Sequence, residues 1–272
     1  MRLLLPFFTG IQAPMLQCLD LSYNSLRDKD VKQQVQCKPQ GNSYRGQQLC
    51  MCWLRQLDLS YNTGLGDEGV AVLWATSVSN GGVPTPPQGL SHRQPTTPLL
   101  MSPSVPPPAT APWFCMLQEL HLAGLPLLSD EGITQAVCGS PQLTSLDVSG
   151  CTALTGSFLR RLSIHCLSLQ SLHIHNCTSL TTCASVFALP QLRTFGAVNC
   201  PGVDWGSSVF LSGPALTPPR RPRGDAPVGP PLETLEISMN GGWDNFLKTL
   251  CRSCGHTLRH LVCVPVAGEY SW

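Results

Sequence analysis

Three copies of one nine-residue phrase stand at a fixed interval in this chain: LQELHLAGL from Leu117, LTSLDVSGC from Leu143 and LQSLHIHNC from Leu169, 26 residues apart. An aliphatic residue fills the first, fourth and sixth places each time. A unit this short cannot bury its own apolar side, so the units must stack and share one core. In the unit from Leu143, Leu146 and Val148 alternate with Ser145, Asp147 and Ser149, the two-residue period of a strand with one buried face. Gly150 and Cys151 mark a bend, and Leu154 returns to the core. Phe158, Leu159, Leu162 and Ile164 then follow at helical spacing. Each unit is expected to run strand, bend, helix. The fold class is an α/β solenoid, a horseshoe with parallel strands on its concave face and helices on its convex face.

The phrase recurs from Leu16, Leu54, Leu192, Leu232 and Leu258, so the eight starts are separated by 38, 63, 26, 26, 23, 40 and 26 residues. The three long intervals hold stretches unlike a repeat, at 38–50, 76–112 and 213–231. Without them every interval returns to the usual repeat length. The expectation is a single domain, 1–272, of about eight units carrying three insertions. The second and third insertions contain most of the chain's 25 prolines. Proline fixes φ and removes a backbone donor, so these stretches are expected to be disordered or extended. Long loops leaving at the rim add little closure entropy. PPRRPRG (Pro218–Gly224) resembles ligands of proline-recognition domains and short nuclear-import signals, and Thr97-Pro98 and Ser102-Pro103 fit proline-directed phosphorylation. A solvated linker accounts for all three.

The net charge of +1 argues against a nucleic-acid binder. Charged residues make up 12%, about half the ~25% of an average chain, as for a protein that expects a partner. No apolar run approaches the length of a membrane span. MRLLLPFFTGIQAPM at the start is a poor signal peptide, because Pro6 breaks a short apolar core and the first unit follows at Leu16. Fourteen cysteines would suit a disulfide scaffold, yet Cys151, Cys177 and Cys200 all take the ninth place of their units, where the first two carry Asn24 and Asn62. At an inward bend either side chain can satisfy backbone groups, asparagine through its amide and cysteine through a weak S–H donor. Reduced cysteines and a cytoplasmic, or alternatively nuclear, location follow. The Asn176-Cys177-Thr178 sequon is then accidental.

From Leu117 to Cys200 the chain resembles the cysteine-containing leucine-rich repeats of F-box/leucine-rich-repeat proteins. The shared marks are cysteine at the ninth place, leucine at the twelfth (Leu154, Leu180) and cysteine ending the helix (Cys166, Cys254). The resemblance implies a non-enzymatic protein-recognition module. Its repeats would hold a substrate while an F-box docks to an SCF-type ubiquitin ligase acting in proteasomal degradation. Only residues 1–15 precede the first unit, so an F-box would lie in a longer form or be supplied by another adaptor. LDLSYNSL and LDLSYNTGL in the first two units look more like the ribonuclease-inhibitor class. The implied partner is a protein, substrate or ligase subunit, with the chain a monomer inside a larger complex. A free scaffold or inhibitor is the alternative.

Aligning the units gives Asp20, Asp58, His121, Asp147, His173, Gly196, Glu236 and Val262 at the fifth place. The seventh holds Ser22, Ser60, Ala123, Ser149, His175, Val198, Ser238 and Val264. Both columns are expected to line the concave face. The candidate partner-binding residues are Asp58, Tyr61, His121, Asp147, Ser149, His173, His175 and Glu236. Histidines and a carboxylate on neighbouring strands have the ligand types of a zinc site, and Ser149, His175 and Asp147 those of a hydrolytic triad, but neither has an oxyanion hole or supporting shell in the sequence. Cys251, Cys254, His256 and His260 resemble a zinc series too tightly spaced for a finger, scattered over helix, loop and strand. The expectation is no cofactor and no catalysis, a zinc-dependent enzyme being the remote alternative. The helix starts GDEGVAVL (Gly66–Leu73) and SDEGITQAV (Ser129–Val137) also match. Ser129 or Asp130 is the expected N-cap.

Overall fold

The computed structural model describes residues 16–36, 54–75, 114–205, 230–239 and 243–265. The expected insertions at 38–50 and 76–112, and residues 213–229 of the third, lie outside the described residues, as do residues 1–15, Cys50 and Cys52. Eight strands form one sheet in chain order: β1 (Cys18–Asp20), β2 (Gln56–Asp58), β3 (Glu119–His121), β4 (Ser145–Asp147), β5 (Ser171–His173), β6 (Thr194–Ala197), β7 (Thr234–Met239) and β8 (His260–Pro265). All neighbours are parallel. Between them run α1 (Asp28–Gln36), α2 (Asp67–Ala75), α3 (Asp130–Cys138), α4 (Phe158–His165) and α5 (Trp243–Cys254). The strand–bend–helix solenoid read from the sequence is the observed fold.

The register reproduces the aligned phrases. Fourth-place residues pair across the sheet as Leu19, Leu57, Leu120, Leu146, Leu172, Phe195, Leu235 and Leu261. All but Leu261, on the last described strand, are buried in one continuous core. Each such aliphatic side chain contributes roughly 1.5–3 kcal/mol. Two expectations need correction. Ile164 is exposed, because it lies about 200° around α4 from Leu162 at ~100° per residue. The fifth unit carries a 3-10 turn, Ala184–Ala188, instead of an α-helix. That unit is 23 residues long rather than 26, and the lost residues leave too little chain for a full helix.

The bend after each strand is built by two places. The eighth is left-handed in six successive units: Tyr23 (φ 56°), Tyr61 (60°), Gly124 (68°), Gly150 (73°), Asn176 (58°) and Asn199 (60°). Glycine and asparagine suit that conformation, whereas tyrosine is strained by it. The ninth place reaches back one unit to the sixth-place carbonyl. Asn62 Nδ2 donates to the Leu21 carbonyl at 2.9 Å. Cys151, Cys177 and Cys200 Sγ donate to those of Leu122, Val148 and Ile174 at 3.1, 3.4 and 3.1 Å. Asn62 Oδ1 also accepts from the Asn24 and Leu26 amides, a task thiols do poorly. Burial holds the thiols protonated, raising Cys151 and Cys177 to about 12 and Cys200 to about 11. All described cysteines are free.

On the helix side a second ladder runs forward. Asp28 Oδ1 accepts from the Gly66 and Gly69 amides at 2.8 and 2.9 Å, and Asp67 takes the amide and hydroxyl of Ser129 at 2.8 and 2.5 Å. Asp130 accepts from the amides of Thr155, Gly156 and Phe158 and from the Thr155 hydroxyl, at 2.8 to 3.0 Å. The first-turn aspartate of one helix thus caps the start of the next. The matching DEG starts acquire a cause. A Cβ on Gly69 or Gly132 would lie 2.5 or 2.4 Å from the carboxylate of Asp28 or Asp67, so glycine admits the preceding unit's aspartate. Ser129 is the N-cap of α3, accepting from the Glu131 amide.

Candidate functional site

The sheet face opposite the helices is made by the third, fifth and seventh places. The fifth-place residues Asp20, Asp58, His121, Asp147, His173, Gly196 and Glu236 stand side by side in register. The candidates Asp58, His121, Asp147, Ser149, His173, His175 and Glu236 are half-buried on this face, and Tyr61 is exposed at its edge.

Much of this polarity is occupied by the fold. Asp20, Asp58 and Asp147 each accept, through Oδ1, the amide two residues on (Ser22, Ser60, Ser149) at 2.8 to 2.9 Å. Seventh-place side chains then stitch to the neighbouring unit. Ser60 Oγ accepts the Ala123 amide at 3.1 Å, Ser149 Oγ that of His175 at 3.2 Å, and His175 Nδ1 that of Val198 at 3.1 Å. These contacts extend the parallel ladder beyond the three-residue strands. Ser149 Oγ thus accepts from the backbone of His175, whose ring Nδ1 is turned to the Val198 amide.

The tautomers of the histidine pair follow from this network. The Val198 amide makes Nδ1 of His175 an acceptor, so Nε2 carries the proton. Nε2 lies 3.3 Å from His173 Nδ1 and donates to it, leaving His173 Nε2 to donate to Ser171 Oγ at 3.0 Å. The chain from Val198 to Ser171 is complete with both imidazoles neutral. Burial, then the neighbouring His173, holds His175 below its ordinary 6.5 against the opposing carboxylates of Glu236 and Asp147. A metal on Nε2 of a neutral His175 would need a proton on Nδ1, pointing at the Val198 amide. The tautomer assigned by this network therefore opposes zinc ligation at Nε2. His121 sits two strands from this pair, beside Glu119 at 4.0 Å, and among the described residues His121, Asp147, His173 and His175 form no group that could hold a metal ion. In the other series, Cys251 is exposed, Cys254 is buried at the end of α5, and His260 opens β8.

Gly196 explains how the two rings fit. It sits at the fifth place of β6, where its neighbours carry side chains. A Cβ there would lie 2.4 Å from His175 Nε2 and 3.0 Å from His173 Nδ1. The missing side chain lets the His175 ring cross β6 to within 3.9 Å of Glu236 on β7. His173, His175 and Glu236 are thereby brought together. Sequence reasoning passed over Tyr23, whose ring stacks on Tyr61 with centroids 4.5 Å apart and planes 12° apart. The signal was present, because both tyrosines occupy the eighth place that later units give to glycine or asparagine.

Comparison with known families adds one finding. The family model described as Leucine Rich repeat matches residues 12–32 and 50–73, spanning the first two asparagine-bearing units. These two units are leucine-rich repeats. Among the described residues of this repeat protein no helix is long and apolar enough to cross a membrane. The match does not extend to an F-box or to a ligase family.

Proposed function

We propose that this leucine-rich-repeat protein is a non-enzymatic protein-recognition module whose open sheet face receives the partner, acting as the substrate-binding part of an SCF-type ubiquitin ligase in the cytoplasm or nucleus. The observation that carries the recognition reading is the fifth-place row, half-buried polar side chains in register over adjacent strands with a rigid buried core beneath. Such a row offers a preorganised surface, and ordering it on binding costs little. The ligase assignment rests on the cysteine-bearing units that resemble those of F-box/leucine-rich-repeat proteins. We also read the chain as one domain of eight units interrupted at 38–50, 76–112 and 213–231. It acts as a monomer within a larger complex and needs no cofactor, nucleic acid or membrane.

The test is affinity purification of the full chain from proteasome-inhibited cells. Recovery of cullin-type ligase subunits together with a stabilised protein supports the assignment. A cleanly recovered bait carrying a protein partner but no ligase subunit refutes the ligase role and leaves recognition standing.

A further inference from the structure

We propose that the edge of the open face at the first two units is a docking site for an arginine side chain of the protein partner, with the guanidinium laid on Tyr23 and directed at the carboxylates of Asp20 and Asp58. This inference rests on the recognition reading and names the chemistry that one part of the face selects.

The aromatic half of the site is the Tyr23–Tyr61 stack. Tyr61 leans over the backbone of Gly124, where an added methyl would come within 2.6 Å of Tyr61 Cδ1. One ring face of the pair is therefore backed by backbone, the inner faces meet each other, and Tyr23 is left 72% exposed. Phenol rings in left-handed backbone, on the outside of the molecule, do nothing for the core that glycine would not do better at the same place.

The electrostatic half is the sign of the charges beside the stack. Asp20 and Asp58 pair in register. Each carboxylate accepts the amide two residues on, and Asp20 also the Ser22 hydroxyl; with about four lone-pair sites apiece, both retain acceptor capacity for a further donor. Desolvation, then Tyr61 through its charge and a hydrogen bond between the two phenols, holds the Tyr23 hydroxyl above its ordinary 10.0, and the negative charge of Asp58 adds to this. The third, fifth and seventh places of the first four units hold no lysine or arginine. The other titratable groups there are Cys18 on β1, Glu119 and His121 on β3 and Asp147 on β4; the Ser22 hydroxyl and amide, and to a lesser extent His121, hold the Asp20 carboxyl below its ordinary 3.8. An aromatic face bordered by carboxylates attracts a cation. The planar, weakly hydrated guanidinium, which stacks and forks at once, fits better than a lysine ammonium.

The test uses the full chain, immobilised, as the target for a displayed random-peptide library at low and high salt. Arginine-enriched peptides that bind less well at high salt are expected. Tyr23→Gly is the decisive variant, because glycine suits the φ of 56° and removes the ring without threatening the fold. It should weaken the selected peptides by about two- to fivefold. Asp58→Asn keeps the bond to the Ser60 amide, removes the charge and should weaken them by a similar factor, whereas Tyr23→Phe should retain affinity. Captured peptides without arginine enrichment, or with affinity indifferent to Tyr23→Gly and Asp58→Asn but lost in Glu236→Gln, would overturn this site and leave recognition intact. A folded chain that retains no peptide overturns both.

Discussion

Removing the Asp130 carboxylate tests whether neighbouring units are held by forward-reaching aspartates or only by the shared core. The N-cap of helix α4 is Ser157, whose own side chain makes no capping bond, so Asp130 of the preceding unit supplies the cap. Of its four bonds, the two to Thr155 face solvent, and water replaces them at little cost. The two to the amides of Gly156 and Phe158, both 3.0 Å, are at buried residues. A buried donor left without a partner costs about 1–3 kcal/mol, so Asp130→Ala should destabilise by about 2–4 kcal/mol in all. That is a substantial part of the 5–15 kcal/mol by which domains are ordinarily stable, so the effect is readily measured. Asp130→Asn can turn its carbonyl oxygen to Gly156 and Phe158, leaving the amide nitrogen against Thr155, and should cost less than alanine.

Burial pushes the Asp130 carboxyl up, but the bonds from Thr155, Phe158 and Gly156 outweigh it and hold the group below its ordinary 3.8. Its contribution is therefore present above pH 3.8 and lost as the pH falls through the lower folded value, where the gap between native and Asp130→Ala should close. The assay is denaturant unfolding followed by tryptophan fluorescence, with amide hydrogen exchange at Gly156 and Phe158 compared with Leu172 in β5. A loss under about 1 kcal/mol with unchanged protection at those two amides would refute the capping argument.

Gly196→Ala should push the imidazoles of His173 and His175 off β6 and destabilise by about 1–3 kcal/mol, as overpacking does, measured as a lowered thermal midpoint with shifted histidine ring resonances. An unchanged midpoint would mean that the rings have room elsewhere. Thiol labelling of the native chain at neutral pH should modify exposed Cys18, Cys138 and Cys251 while sparing Cys151, Cys177 and Cys200, read by peptide mass mapping. Early labelling of the buried three would contradict a closed thiol ladder.

The regularities of the fold were legible because they are sums over units. Seven of eight fourth-place residues agreeing on burial fix the register, and cysteine replacing asparagine at one place exposes that place's task. Departures inside single units were harder to read. Ile164 fits a helical pattern, yet only the position of the helix axis decides which side it faces. The 3-10 turn follows from an interval three residues short, which the sequence displays without saying which element gives way. Gly196 looked like a gap in the polar column until the neighbouring rings were placed. The aspartate ladder was half visible in the repeated DEG starts, but its bonds cross between units, and a single helix start suggests only its own cap.

The same crossing bonds limit what the open face can offer a partner. At the fifth and seventh places one oxygen of each aspartate and the hydroxyls of Ser60 and Ser149 already hold backbone amides, so a partner that competed for them would loosen the strand ends within units and, at the serines, the joints between units. Recognition is then left to groups with capacity to spare: the second oxygens of Asp20 and Asp58, the exposed tyrosine pair, and the Glu236 carboxylate beside His175. These separate into an acidic aromatic region on the first two strands and an imidazole–carboxylate region from β5 to β7. The His175 ring is held neutral by the Val198 amide, and its proton already faces His173. That second region therefore presents Glu236 as its charged group. A partner spanning both regions would meet negative charge at each end, so an extended segment with separated basic residues matches the face better than a single basic side chain.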